Sequence, residues 1–258
     1  MQFLYPSDPL NKRIVDSSYR EESDYASSLG LNCVHFSFED FEAGKFKPSA
    51  HLAGLVIYRG WMLTPDGYHL LHNCIQDALG VPFTNPLEYQ NCHWLPCWYK
   101  SCEEFTPKTI ILDRNDSLVD LPSWSKFFVK DYVKSLTTER GSIASNVDEI
   151  REVISLIEHF RGDIEGGICI REFEDFDIET EDRYFVLNGV PYSREGVYPS
   201  LLGEIAHRVN SRFYSVDLVK NRQGLYRLVE LGDGQVSDRK KWTPSQFFNM
   251  FKRLSTLY

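Results

Sequence analysis

No stretch of this 258-residue sequence approaches the ~18 to 20 consecutive apolar residues that a membrane-spanning helix needs. The opening MQFLYPSDPL also lacks a basic segment followed by an apolar run. A cytoplasmic protein is the expectation. Positive charge is scarce too: 28 Lys and Arg stand against 37 Asp and Glu, a net charge of −9. That balance argues against general affinity for nucleic acid or an anionic membrane, because a binder must neutralise either one with clustered cations. Any phosphate site must therefore be a local positive spot. No G-x-G-x-x-G follows a strand-like run, so dinucleotide binding has no support, and no convincing Ser-His-Asp or Cys-His arrangement supplies a nucleophile. Three of the six cysteines, Cys92, Cys97 and Cys102, lie beside His93 in NCHWLPCWYKSC. Their intervals of five and five, with Trp94, Trp98 and Tyr99 interleaved, do not suit zinc knuckles. Cys33, Cys74 and Cys169 sit in apolar segments and read as small buried hydrophobes of a reducing compartment.

What is present is an ordinary globular composition, 42% hydrophobic and 25% charged, in a chain long enough for one or two domains. The first part alternates strand-like runs at 2–5, 31–36, 54–58 and 108–112 with helical segments. The clearest helix has Thr64 as N-cap, Pro65 at its first position, Leu71, Cys74, Ile75 and Ala78 on one face, and Gly80 as its stop. Such alternation predicts crossover connections and a mainly parallel sheet. A polar stretch at 113–123 reads as a linker. Beyond it come the strand FFVKDYVKS, a Ser/Thr/Gly loop, and a helix opened by the capping-box pair Asn146 and Glu149 and stopped by Gly162. Four strand candidates follow, GGICIREF, DRYFVLNGVPYS, FYSVDLV and LYRLVELGDG, with a helix at PSLLGEIAHRVN. A last helix starts at Thr243, Pro244 and Gln246. This half reads as antiparallel sheet with helices, an α+β layout.

Two pairs of charges carry chemistry. Lys130 and Lys134 stand four apart, so on one continuous strand they would share a face. Like charges so placed repel unless an anion lies between them or the strand is a wet edge. Asp217 and Glu230 are thirteen residues apart with the turn KNRQG between them, as a β-hairpin requires. Paired carboxylates need a shared cation, and hard oxygen ligands suit Mg²⁺, which fills its other positions with water and phosphate. A nucleotide is the natural complement.

This order of a lysine strand, a Ser/Gly loop, a strand ending in Arg171, Glu172 and Phe173, and two late acids resembles the ATP-grasp superfamily. With YRGWMLTPDGY, NCHWLPCWY, TPKTIIL, IREF and VELGDGQVS, the sequence is similar to the largely bacterial and phage-associated clade named for one arginine and two lysines. A eukaryotic cell-division-cycle protein that helps assemble a translation initiation factor is related to that clade. The resemblance implies α/β plus α+β architecture: a Rossmann-like domain over 1–118, then an ATP-grasp domain of two α+β subdomains over 119–258.

It also implies ATP and Mg²⁺ as cofactors. Lys130 would hold the α or β phosphate and Lys134 would be the second lysine. Ser135, Ser142 and backbone N–H groups would line a phosphate loop that has only Gly141, in a lid over 136–145. Arg171 or Arg183 would face the transferred phosphate, and Glu172 and Phe173 would form the adenine hinge. Asp217 and Glu230 would bind the metal. Asp233 is the candidate third ligand, because Gly232 stands where many members have asparagine. Arg59, in YRGW, is the candidate for a substrate carboxylate, with a structural strand-end arginine as the open alternative. The implied activity is ATP-dependent ligation of a carboxylate to an amine, a peptide or protein included, through an acylphosphate. The alternative is a non-catalytic ATP-binding assembly factor for a protein partner.

Overall fold

The computed structural model describes residues 1–114, 116, 118 and 121–253. The 113–123 stretch expected as a linker, and the boundary expected at 118, fall partly outside the described residues. The N-terminal half contains β1 (Gln2–Pro6), α1 (Ser17–Ser28), β2 (Asn32–Phe36), α2 (Phe38–Glu42), β3 (Gly54–Tyr58), α3 (Pro65–Asp77), β4 (Gly80–Pro82), α4 (Pro86–His93) and α5 (Leu95–Cys102). Its strands form one parallel sheet in the order β2-β1-β3-β4. The hydrophobic residues of β1 and β3 face both ways, as a strand covered on two sides requires. Phe3, Tyr5 and Ile57 pack with Ala26 of α1, while Leu4, Val56 and Tyr58 pack with Phe41 of α2 and Leu71 and Ile75 of α3.

Thr64 caps α3 as expected, accepting the Gly67 N–H, and Pro65 occupies the first turn. Gly80, expected to stop that helix, instead opens β4. The left-handed position after the helix belongs to Leu79 (φ 69°), and a Cβ on Gly80 would meet Val56 Cγ2 at 2.8 Å. β4, not the 108–112 run expected as the fourth strand, completes the parallel sheet. The cysteine-rich stretch folds as α4 and α5, the former closed by a capping box between Asn85 and Glu88. Cys92 and Cys102 are buried, and among the described residues no three His, Cys, Asp or Glu side chains gather as a metal site.

The 108–112 run becomes β5 (Thr109–Asp113), an edge strand of a second, antiparallel sheet. That sheet adds β6 (Phe127–Asp131), β7 (Ile143–Ala144), α6 (Val147–Arg161) and β8 (Gly167–Glu172), in the strand order β5-β8-β6-β7. Ile111 is 37% exposed, which a wet-faced antiparallel edge tolerates and a doubly covered parallel strand does not. Asn146 caps α6 by accepting the Glu149 N–H, and Gly162 ends it with φ 78°. Ile150, Val153 and Ile157 bury against Phe127, Val129, Ile168 and Ile170.

The third sheet holds β9 (Phe176–Leu187), β10 (Val190–Tyr192), β11 (Phe213–Asn221) and β12 (Tyr226–Asp233), with α7 (Ser200–Arg208) and α8 (Pro244–Asn249). Its order is β10-β9-β11-β12, antiparallel throughout. One face packs Val216, Leu218 and Leu231 against Leu202 and Ile205 of α7 and Trp98 of α5. The other joins Phe185 and Phe213 to Phe247 and Phe248 of α8 and to Phe3 and Tyr5 of β1. The aromatic layer thus fuses this sheet to the parallel one. Among the described residues no helix is long and apolar enough to cross a membrane.

Candidate functional site: a cleft between two antiparallel sheets

The register of the third sheet sets Arg183, Asp217 and Glu230 side by side on β9, β11 and β12. The hairpin pairing read from the thirteen-residue spacing is the pairing observed. Arg183 grips Asp217 bidentately, Nε to Oδ1 at 2.8 Å and Nη2 to Oδ2 at 2.7 Å, and Lys240 Nζ donates to Oδ2 at 3.0 Å. Burial pushes the Asp217 carboxyl up, but these two cations outweigh it and hold the group below the usual carboxylate range. Arg183 Nη1 also donates to Asp238 Oδ1 at 2.9 Å. Glu230 is freer, with its side chain 40% exposed and Lys130 Nζ at 3.7 Å.

Arg183, Asp217 and Glu230 line a polar cavity of about 400 Å³, together with Lys134, Ser135, Thr137, Ser215 and Asp238. A second, apolar cavity of about 500 Å³ is lined by Phe128, Ile143, Phe173, Phe176 and Val229, with Arg171 and Glu172 at the end of β8. Lys130 links them. It shares a face of β6 with Phe128, two residues earlier, and its buried ammonium meets Glu230 of the polar cavity.

Lys134 does not share that strand face. β6 stops at the fully buried Asp131, whose Oδ1 accepts the N–H groups of Val133 and Lys134 at 2.7 and 2.6 Å and whose Oδ2 takes Arg161. A short carboxylate that captures the next backbone donors turns the chain out of the strand, and Lys134 reaches the polar cavity from that turn. Ser135 lines the cavity, whereas the Ser142 hydroxyl accepts Leu136 N–H at the base of the loop. The two arginines also separate. Arg171 is buried under the apolar cavity, donating to Val229 O and Thr106 Oγ1, and burial lowers its pKa to about 10. Arg183 alone of the two stands among the carboxylates.

Two expected site residues lie elsewhere. Asp233, three positions after Glu230, falls on the opposite pleat: Oδ1 accepts Gln235 N–H at 2.9 Å, and Oδ2 lies 4.0 Å from Cys92 Sγ of α4. It is fully buried, which pushes its pKa up to about 7. Arg59 is a structural arginine. Its Nε and Nη2 pair with Glu22 at 2.7 and 2.9 Å, and Nη1 donates to the carbonyls of Gly234, Gln235 and Ser237. With its side chain 1% exposed, it is out of reach of a substrate.

A divalent cation has two hard donors here. Asp217 gives three of a carboxylate's roughly four lone-pair sites to Arg183 and Lys240, which leaves one on Oδ1. Glu230 keeps nearly all of its own. That set fits Mg²⁺, which takes one or two carboxylates and completes its octahedron with water and phosphate oxygens. Thr137, Ser215, Asp238 and Lys240, and Tyr19, Trp61 and Met62 from the N-terminal half, also line or brace this site. The charged run VSDRKK after the last strand offered a signal for Asp238 and Lys240, the 136–145 loop held Thr137, and YRGWMLTPDGY held Trp61 and Met62; nothing local singled out Tyr19 or Ser215.

An apolar cavity and a charged one, lined by the neighbouring Val229 and Glu230 of β12, suit the nucleotide site of an ATP-grasp protein. The profile of an ATP-grasp domain, family 3 of the clade named for one arginine and two lysines, matches residues 121–251, half of the chain, and the protein belongs to that family. No curated protein sequence matches the chain. Among solved structures it is similar to the D-cycloserine synthetase DcsG (10% identity, TM-score 0.60, covering 97% of this chain and 99% of that one). It is similar as well to the D-alanine-D-alanine ligase from Coxiella burnetii (11% identity, TM-score 0.60, 99% and 97%). The ATP-grasp ligase PsnB, in a complex with minimal precursor, Mg and ADP, aligns at 12% identity and TM-score 0.55, over 92% and 89%. At these identities the likeness is one of fold.

Proposed function

We propose that the protein is an ATP-dependent ligase that joins a carboxylate to an amine through an acylphosphate. The observation that carries this reading is the ion pair of buried Lys130 with Glu230, beside an apolar pocket and a charged pocket that holds three carboxylates, two further cations and hydroxyls. Adenine would lie between Phe128, Phe173 and Val229, with backbone groups of Glu172 and Phe173 at its edge. Lys130 and Lys134 would neutralise the phosphates as compact point charges, and Ser135 with the 136–145 loop would close over them. Asp217 and Glu230 would hold Mg²⁺, which supplies charge neutralisation and orientation of the phosphates when bound. Asp233 and Arg59 have no part in the site.

In the reaction, a substrate carboxylate oxygen bonds to the γ-phosphorus as the bond to ADP breaks, giving an acylphosphate. The amine then attacks the acyl carbon, phosphate leaves, and the nitrogen loses a proton. Arg183, at the cavity wall beside the acids, is suited to the charge that develops on the transferred phosphoryl group, at the cost of loosening its hold on Asp217. In domain terms, residues 1–118 would precede the grasp proper, 119–258. Six unpaired cysteines suit a reducing compartment such as the cytoplasm.

One observation favours a second reading. Asp217 is already neutralised by Arg183 and Lys240, as suits a protein that binds ATP and assembles a protein partner without turnover. ADP release measured with pools of amino acids, peptides and candidate proteins separates the two. Stimulated release together with a ligated mass supports the ligase; tight ATP binding in a stable complex without product supports the assembly factor.

A further inference from the structure

The polar cavity has two unlike walls. One carries Lys134, Arg183, Asp217, Glu230 and Asp238; the other, from the N-terminal half, is Tyr19, Trp61 and Met62, with no charge at all. Trp61 is 42% exposed and meets the Tyr19 ring edge-on, centroids 5.3 Å apart and planes at 78°. An exposed indole held in this way is a fixed surface. Tyr58 Oη donates to the Trp61 carbonyl at 2.8 Å, and Gly60 lies so close to that phenol that a Cβ would be 2.3 Å from its oxygen. Gly60 N–H donates to Gln235 O at 3.3 Å, and Arg59 binds the carbonyls of Gly234, Gln235 and Ser237. Those carbonyls belong to the segment that continues into Val236, Ser237 and Asp238 of the facing wall. The buried Arg59 clamp therefore sets the spacing between the aromatic shelf and the charged wall.

On the charged wall Arg183 is occupied by Asp217 and Asp238, whereas the Lys134 ammonium has no partner among the described residues. We propose that the Tyr19, Trp61 and Met62 shelf selects a carboxylate substrate with an apolar side chain. The inference rests on the reading of this cleft as the ligase substrate site. A charged side chain laid on the shelf would shed water against two rings and a thioether, while an apolar one gains by leaving water.

The test is equilibrium binding of N-acetyl-leucine, N-acetyl-phenylalanine, N-acetyl-glutamate and N-acetyl-lysine to the protein loaded with Mg²⁺ and a non-hydrolysable ATP analogue, by calorimetry. The leucine and phenylalanine compounds are expected to bind at least about tenfold more tightly than the other two. Trp61→Ala is expected to erase that gap, and Trp61→Phe to keep most of it. Analogue affinity, measured in a separate titration of the unloaded protein, reports that each variant is folded. Equal or tighter binding of the glutamate or lysine compound overturns the proposal; the lysine result would mean that the indole face serves as a cation site instead. A gap that survives in Trp61→Ala, or no binding by any of the four, overturns it as well. Because nothing here requires turnover, absence of ligation defeats the ligase reading alone, and a ligated product with a charged side chain defeats the shelf alone.

Discussion

Replacing Arg59 by alanine is the sharpest probe of how the two halves are held together. Arg59 and Glu22 are 1% and 3% exposed in their side chains, so the change strands a buried carboxylate. Glu22 would retain Arg239 Nε at 3.2 Å and the Tyr5 hydroxyl at 3.4 Å. Breaking one side of a buried pair costs about 3 to 5 kcal/mol. Three carbonyls lose their donor as well, and Phe247 loses the guanidinium stacked 4.5 Å from its centroid. For a protein of this size each kcal/mol is worth about 2 to 4 °C, so the melting temperature is expected to fall by roughly 6 to 20 °C in calorimetry or circular dichroism. The double variant Glu22→Gln/Arg59→Met should recover part of the loss, since no charge is then left unpaired. A melting temperature within about 2 °C of the parent, with substrate KM raised instead, would refute the clamp and restore Arg59 as a substrate ligand.

Lys130→Ala should weaken ATP binding by roughly ten- to a hundredfold, the worth of a charged hydrogen bond; calorimetry that finds the affinity unchanged removes β6 from the phosphate site. Asp217→Asn should abolish magnesium-dependent turnover, read as ADP release across a Mg²⁺ titration. It should also change acid stability. The folded pKa of Asp217 is depressed, so its stabilisation is present above the ordinary carboxylate range and disappears as pH falls through the folded value; Asp217→Asn melts should therefore be flatter than the parent's below about pH 4. Asp233 has the opposite sign. With its pKa raised from 3.8 to about 7, it favours the folded state at low pH, and that contribution, about 4 kcal/mol in size, is lost as pH climbs from about 4 through 7. Urea titrations at pH 5 and 8 should show this decline in the parent and not in Asp233→Asn; parallel behaviour of the two proteins would rule it out.

Much of the architecture was legible because its determinants are local. Thr64 with Pro65, Asn146 with Glu149, Gly162, and Thr243 with Gln246 each act within one helical turn, and each sits at the helix end it predicts. The Asp217 and Glu230 pairing was legible for the same reason: a short turn fixes hairpin register, and register fixes which side chains are neighbours. Lys134 was misplaced on the strand although its cause was adjacent in sequence, because Asp131 captures backbone donors only when burial leaves it no water.

Periodicity and capping, which depend on residues within a few positions of one another, thus determined from sequence alone where α3, α6 and α8 start, that β11 and β12 pair as a hairpin and which residue types could meet a nucleotide. Only the tertiary structure decided which sheet would receive Thr109–Asp113, whose partner β8 lies some sixty residues away. It likewise decided that Asp233 faces Cys92 rather than the cleft, and that Arg59 directs its donors to Glu22 and to carbonyls 175 to 178 residues further on. Distant groups of this kind find one another only through burial, where an unpaired charge or carbonyl costs more than the ordering that satisfies it.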